Sequence, residues 1–453
     1  MYLVYIPLLV YLIVVFLVPF FLRRDNGSDE SYYLAGRSLG VRSSFLSLVA
    51  TETSVATVLI FPAAGYNGKW NLLSLCIGYI VGRCMVALHY LPTIYRMTDT
   101  SIYKAIGSDG PSRTVLELSY LAAKYISSGV RFFMGGMALF GLFGGTIEFW
   151  ILITALVAGV YSLSGGLKAV VVTDQLQGMI LFLMGLVLLI ILWPAGPLIE
   201  QGSPGVFTWK LDWFDGAHSI PLFIGGLVLS IGSHGADQDL LQRVISVRDL
   251  KGAQRSMILS GFGATIVIMI FVAVGALLRD WNGNLEPNQA LLEYVKSSSV
   301  LLQSLFAVLV AAASMSTLDS ALHSTGAVWK SLLGSKKSGR WFSFLSLLIL
   351  TGSALAFIYF ESHARNLLSL AMGSMNYING GLIGIFTYFV FWKRSLSIYS
   401  MAAAILGGFA VTLLMNLYGI HWTFITVASS TIALMLVILT QRIGDKEPER
   451  RSF

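Results

Sequence analysis

The chain has 453 residues, 56% of them hydrophobic and 12% charged, with a formal net charge of +7 and a mean hydropathy of +0.75. Soluble domains carry about 25% charged residues, so this composition excludes a soluble enzyme or nucleic-acid-binding protein and points to a polytopic membrane protein. Cys76 and Cys84 share one apolar segment and define no disulfide framework.

Apolar runs long enough to cross a bilayer fall near residues 3–22, 43–66, 71–95, 113–143, 147–165, 170–194, 219–238, 252–278, 298–330, 341–360, 366–392, 398–418 and 420–440, thirteen in all. The first has no basic residue before it, two arginines after it and no small-residue cleavage site. It is expected to stay in the protein as a span with its amino end outside, not to act as a signal peptide. Alternate loops then differ in Lys and Arg. One side collects twenty-two, among them Arg37, Arg42, Lys168, Arg243, Arg248 and Lys336, and the other has Lys69, Lys210, Arg279, Lys296 and Arg365. That asymmetry predicts a cytoplasmic carboxyl terminus, in a plasma membrane or a bacterial inner membrane. The positive charge thus marks orientation, and nucleic acid is not an expected partner. The longest loops, near 195–218 and 279–297, are expected outside, and "DKEPERRSF" reads as a short solvated end.

In the second span, "ATETSVAT" puts Glu52 beside Thr51, Thr53, Ser54 and Thr57 near mid-membrane, with Pro62 beyond. Local unwinding there would release carbonyls, which are hard oxygen ligands for an alkali cation. Irregular backbone at that depth must face protein or a wet cavity. A kinked packing helix, its hydroxyls bonded to its own carbonyls, is the plainer reading, but it leaves Glu52 in need of a partner.

The span at 113–143 carries Glu117, Lys124 and Arg131 seven residues apart. Seven residues are nearly two turns, about 10 Å, so the three share one face, turned into the bundle. Arg131 is either a forked clamp for a carboxylate or a structural partner of Glu52 or Asp174. Asp174 itself follows a glycine turn in "YSLSGGLKAVVVTDQLQGM". In "IGSHGADQDLLQRVIS" His234 lies between glycines and reads as a packing group more than as a proton shuttle.

Within "AAASMSTLDSALHS", residues 311–324, Ala313, Ser316, Thr317 and Ser320 recur at i, i+3, i+4 and i+7 and share a helix face. A small residue followed by hydroxyls permits close approach and offers oxygen ligands. Hydroxyls alone would serve equally as interhelical glue. Asp319 tips the balance toward an ion site, since glue needs no carboxylate.

Four motifs, "YYLAGRSLG", "SLSGGLKAVVVTDQLQ", "DQDLLQRVISVRDLKGAQRS" and "ASMSTLDSALHS", occur in order between residues 32 and 324. Together they resemble the sodium/solute symporter family. The resemblance implies an all-α LeuT-like fold with thirteen transmembrane helices. A single transporter domain, 1–453, would comprise an additional helix at 3–22, two inverted five-helix repeats over 43–392 and two peripheral helices at 398–440. It implies a sodium site formed by the carbonyls of Ala50 and Thr53 with Ala313, Ser316 and Thr317. A second sodium site would fall at Asp174, Ser316, Asp319 and Ser320, with Asp319 standing where some members have serine. Ser54, Thr57 and Arg131 match positions that contact the carboxylate in sialic acid symporters. Glu52 matches an acid of the proline carriers and is a candidate for gating or coupling.

The expected activity is sodium-coupled symport, with one or two Na+ per cycle, of a small polar solute, an organic anion foremost. A sugar or a proline-type amino acid is the alternative within the family. The bilayer and the solute are the expected partners, and no obligate protein partner is inferred. An intramembrane protease using Asp174 and Asp319 lacks the glycine-flanked catalytic pattern, and no HExxH or GxSxG is present. A transporter-like sensor would append a signalling domain, which the stretch after residue 440 is expected not to be. A sodium leak channel would differ in passing current without substrate.

Overall fold

The computed structural model describes residues 5–22, 28–97, 99–104, 106–107, 110–196, 218–361 and 367–444. In chain order the helices are α1 (Ile6–Phe21), α2 (Asp29–Leu34), α3 (Val41–Glu52), α4 (Val55–Tyr66), α5 (Leu72–Ile94), α6 (Gly110–Phe143), α7 (Ile147–Leu192) and α8 (Ser219–Gly235). They continue as α9 (Gln238–Ile245), α10 (Leu250–Trp281), α11 (Pro287–Ser297), α12 (Val300–Leu333), α13 (Gly339–Glu361), α14 (Leu367–Trp392), α15 (Ile398–Leu417) and α16 (Trp422–Gly444). Polar caps start several of them, as where Ser299 accepts from Leu302 N at α12 and Asp249 from Gly252 N at α10.

Among the described residues eight helices are long and apolar enough to cross a membrane, and two bent pairs, α3–α4 at 62° and α8–α9 at 63°, raise the number to ten. α1 and the 377–392 part of α14 are shorter apolar helices. The expected count of thirteen is therefore not reproduced as such. The predicted spans 147–165 and 170–194 run together in α7, whose 46 residues would measure about 69 Å if straight, over twice a hydrocarbon core. Gly166 interrupts that run with φ 62°, ψ −164°, a conformation essentially restricted to glycine. A Cβ there would also meet the Tyr32 carbonyl oxygen at 2.8 Å.

α12 lies at the centre. Every residue from Phe306 to Val328 is buried, so its hydroxyls and Asp319 face neighbouring helices all round and none face lipid. α3, α6, α7 and α13 pack around it.

Two sequence expectations need correction. Arg243, counted above with the loop cations, is fully buried on α9, because the seventh apolar run bends and continues as helix to Ile245. The loop expected at 279–297 contains the helix α11. Most of the other long loop, 197–217, lies outside the described residues.

Candidate ion and substrate site

The break between α3 and α4 occupies Thr53 (φ −84°, ψ 81°) and Ser54 (φ −90°, ψ −176°). The N–H of Ser54 donates to the Glu52 carbonyl at 3.1 Å, and that of Thr57 donates to the Ser54 carbonyl at 2.8 Å. In an unbroken helix those two N–H groups would serve Ala50 and Thr53. The break thus takes the Ala50 and Thr53 carbonyls, the two expected ion ligands on this helix, out of the ladder. The plainer packing reading holds for Thr53, whose hydroxyl donates to Val49 O at 2.6 Å, while Ser54 caps α4 through Ala56 N at 3.3 Å.

Across from this break, α12 presents Ser316, whose hydroxyl donates to Asp174 Oδ1 at 2.9 Å, and Thr317, which donates to the Ala313 carbonyl at 3.1 Å. Thr51 and Ser320 hydroxyls meet at 3.3 Å and tie α3 to α12. Ala50, Thr53, Ala313 and Ser316 are fully buried and Thr317 nearly so. The five expected ligands of the first sodium site therefore lie on two facing, water-excluded stretches.

The four residues expected at a second site form one network with a cation already in it. Asp174 Oδ2 accepts from Ser47 and from Arg243 Nη2 at 3.0 Å and Nε at 3.3 Å. Arg243 also donates to Ser320, to Ser47 at 2.8 Å and to Asp239 Oδ1 at 3.1 Å. Asp319 accepts from Tyr161 at one oxygen and from Ser320 at 3.2 Å at the other, and no basic side chain among the described residues touches it. Sequence reasoning missed Arg243, Tyr161 and Ser47, and Gln177, whose amide donates to the Tyr161 hydroxyl at 3.5 Å. The i, i+4 pairing of Asp239 with Arg243 was the available signal for the first.

Glu52 finds its partner in Arg83 of α5, fully buried, which also donates to Ser260 at 2.6 Å and stacks on Tyr79 with 5.3 Å to the ring centre. The partners expected of Arg131 are thus taken by other arginines, Arg83 for Glu52 and Arg243 for Asp174. Arg131 itself is half-buried on α6, within electrostatic reach of Tyr79 and Asp239, and α6 packs against α4, which carries Thr57. Lys124, two turns earlier, bridges Asp237 at 3.0 Å and Asp239 at 2.7 Å, pinning the α8–α9 bend. Glu117 is buried near Arg113 at 3.4 Å. His234 Nδ1 lies 2.9 Å from the Ser233 hydroxyl, and its Nε2 is 4.0 Å from Glu52, outside hydrogen-bond range.

Bent helices flanking a buried polar centre in an all-helical bundle define a LeuT-like membrane transporter fold. A solved Na+-coupled sialic acid symporter, in its substrate-bound outward-open state, superposes with TM-score 0.85 over 97% of this chain and 98% of that one at 21% identity. A nucleobase-cation-symport-1 family transporter superposes at 0.67 over 94% and 96%, at 16% identity. No model of a protein family matches the chain. Its sequence relatives are sodium/solute symporters, transporters and not enzymes. Human sodium-coupled monocarboxylate transporter 2 is 25% identical over 325 residues, 67% of this chain and 52% of that protein. The sodium/sialic acid symporter of Proteus mirabilis is 25% identical over 292 residues, 60% and 58%. The sodium/glucose cotransporter of Vibrio parahaemolyticus is 26% identical over 291 residues, 59% and 53%. The chain thus spans little more than half the length of these curated relatives.

Proposed function

We propose that the protein is a sodium-coupled symporter that imports a small organic anion by alternating access. The observation that carries this reading is the α3–α4 break, which frees the Ala50 and Thr53 carbonyls opposite Ser316 and Thr317. Sodium bridging these stretches would fix α3 against α12, and its departure would loosen them. Asp174, Ser316, Asp319 and Ser320 remain the candidates for a second ion, now with Arg243 among them. Two bent spans, the second and the seventh in the predicted order, support the expectation of two five-helix repeats with a binding centre between broken helices.

Arg131 is the expected carboxylate clamp, with Ser54 and Thr57 beside it. Glu52 favours an anion over an amine-bearing solute, because Arg83 already balances its charge. Its place as the last residue of α3 fits a role in gating or coupling.

The test is thermal unfolding of the purified protein in NaCl against KCl, then with a library of carboxylates, sugars and amino acids. Binding at a hundred times the dissociation constant stabilises by about 2.7 kcal/mol. Sodium should raise the midpoint, and Ser316→Ala with Thr317→Ala should remove that rise while the potassium baseline stays. A full sodium response in the double variant would refute the site. Stabilisation by a carboxylate in NaCl alone, weakened about tenfold or more by Arg131→Lys, which loses the fork, would establish the substrate class.

A further inference from the structure

A cavity opens at the end of the bundle where α3 begins. Its volume is about 270 Å³, and Lys168 of α7, Arg248 before α10, Gln175 and Ser43 supply its polar lining, with no acidic residue among the lining groups. Lys168 and Arg248 are exposed, and neither makes an ion pair among the described residues. Arg248 Nε donates to the Ser38 carbonyl at 2.9 Å, which fixes its guanidinium at the rim and leaves both Nη groups uncommitted. The floor is the start of α3, where Gly40 has no side chain to cap the first-turn N–H groups, so the helix dipole adds to the positive potential.

The other half of the observation lies along α7. From Lys168 and Gln175 the same helix face continues through Met179, Leu183, Val187 and Ile190 at steps of four, four and three residues. All four are exposed, Met179 by 56% and Ile190 by 69%, in a segment apolar enough to span a membrane. A cationic pocket at the membrane boundary thus runs directly into a lipid-facing stripe.

We propose that this pocket binds the phosphate of an anionic phospholipid, with Lys168 and Arg248 on the phosphate and an acyl chain along Met179–Ile190. A free phosphate would use the polar end alone and leave the stripe unmatched. A zwitterionic headgroup would bring its ammonium to a pocket without a carboxylate. The bound lipid also caps α3, the helix whose far end carries Ala50 and Thr53, so lipid composition bears on that hinge whatever the transported solute is.

The experiment uses the full chain, purified in detergent and delipidated, and then given phosphatidylglycerol, phosphatidylcholine or millimolar inorganic phosphate. Lipid retention is counted by native mass spectrometry, and stability is read by thermal unfolding. Phosphatidylglycerol should be retained and should raise the midpoint above the phosphatidylcholine value. Lys168→Gln with Arg248→Gln should bind it about 30-fold more weakly, the loss expected for two basic contacts near a membrane surface. Both positions are exposed, so the variant should unfold at the wild-type midpoint in phosphatidylcholine, which separates lost binding from lost folding. Equal phosphatidylglycerol retention by the variant, or no preference over phosphatidylcholine in the wild type, would overturn the site. Stabilisation by inorganic phosphate as large as that by the lipid would overturn the lipid assignment and make it a free-anion site.

Discussion

Arg243 carries the largest electrostatic burden of any side chain at the centre. Its guanidinium is fully buried and reaches Asp174, Asp239, Ser47 and Ser320 at once, so it neutralises one acid outright and shares a second with Lys124. Breaking a buried pair by removing one partner leaves an uncompensated charge and typically costs about 3–5 kcal/mol. Arg243→Gln should therefore lower the unfolding midpoint sharply or prevent accumulation of folded protein. Arg243→Lys should recover part of the loss, since a point charge replaces a fork but keeps the sign. Unfolding of both variants in detergent checks this, and a glutamine variant as stable as wild type would remove Arg243 from the core account. Asp174, Ser316 and Ser320 were legible in the sequence because a polar group inside a long apolar run is conspicuous. Arg243 was not, because α9 is short and rich in polar residues, and the groups that meet its side chain, Ser47, Asp174 and Ser320, come from α3, α7 and α12.

At the scale of elements, the breaks show what periodicity can and cannot reveal. The unwinding of the second span is readable from its run of hydroxyls, and the bend falls within that run at Thr53 and Ser54, while Pro62 sits inside α4. The bend of the seventh span looks like a membrane boundary in the sequence, because Gly-Ser-His-Gly at 232–235 is followed by charged residues that look solvated. Lys124 from α6 pairs those charges inside the bundle, which no local pattern announces. Close helix contacts were equally silent. A Cβ on Gly65 would stand 1.9 Å from Val272 O, and one on Gly275 would stand 1.9 Å from Pro62 O, so α4 and α10 touch backbone to backbone. Neither obstacle is a flexible side chain, and alanine at either position should destabilise by about 1–3 kcal/mol. Gly352 on α13 has nothing within 4 Å of its Cβ position, and Gly352→Ala should be neutral or stabilise by about 0.4–1 kcal/mol. Unfolding midpoints of the three variants side by side test the packing, and three equal losses would contradict it.

For the whole molecule, the alternation of loops inferred from charge can be compared with which loops meet. Leu39 N donates to Ser246 O at 3.0 Å, Arg37 to the Met97 carbonyl at 2.6 Å, and Leu396 N to Ile106 O at 3.0 Å. Four connections assigned to the basic side thus converge at one end. At the other, the Tyr66 hydroxyl donates to Asn282 O at 2.7 Å and accepts from Leu285 N at 3.1 Å, joining two connections assigned to the opposite side. The number of spans between these loops is therefore of the right parity, and moving Arg243 into the core leaves the basic excess intact. The proposed orientation, with the basic end at the cytoplasm, rests on that excess, and it decides the direction of work. An inward sodium gradient drives import only if the ion enters from the outer end, where each charge crossing 100 mV contributes about 2.3 kcal/mol. Lys69 and Lys336 are exposed in turns at opposite ends and serve as reporters. With Cys76 and Cys84 replaced by serine, Lys69→Cys should react with a membrane-impermeant maleimide in intact cells, and Lys336→Cys should react only after permeabilisation. The reverse pattern would invert the bundle, and sodium moving down an inward gradient would then enter at the Lys336 end.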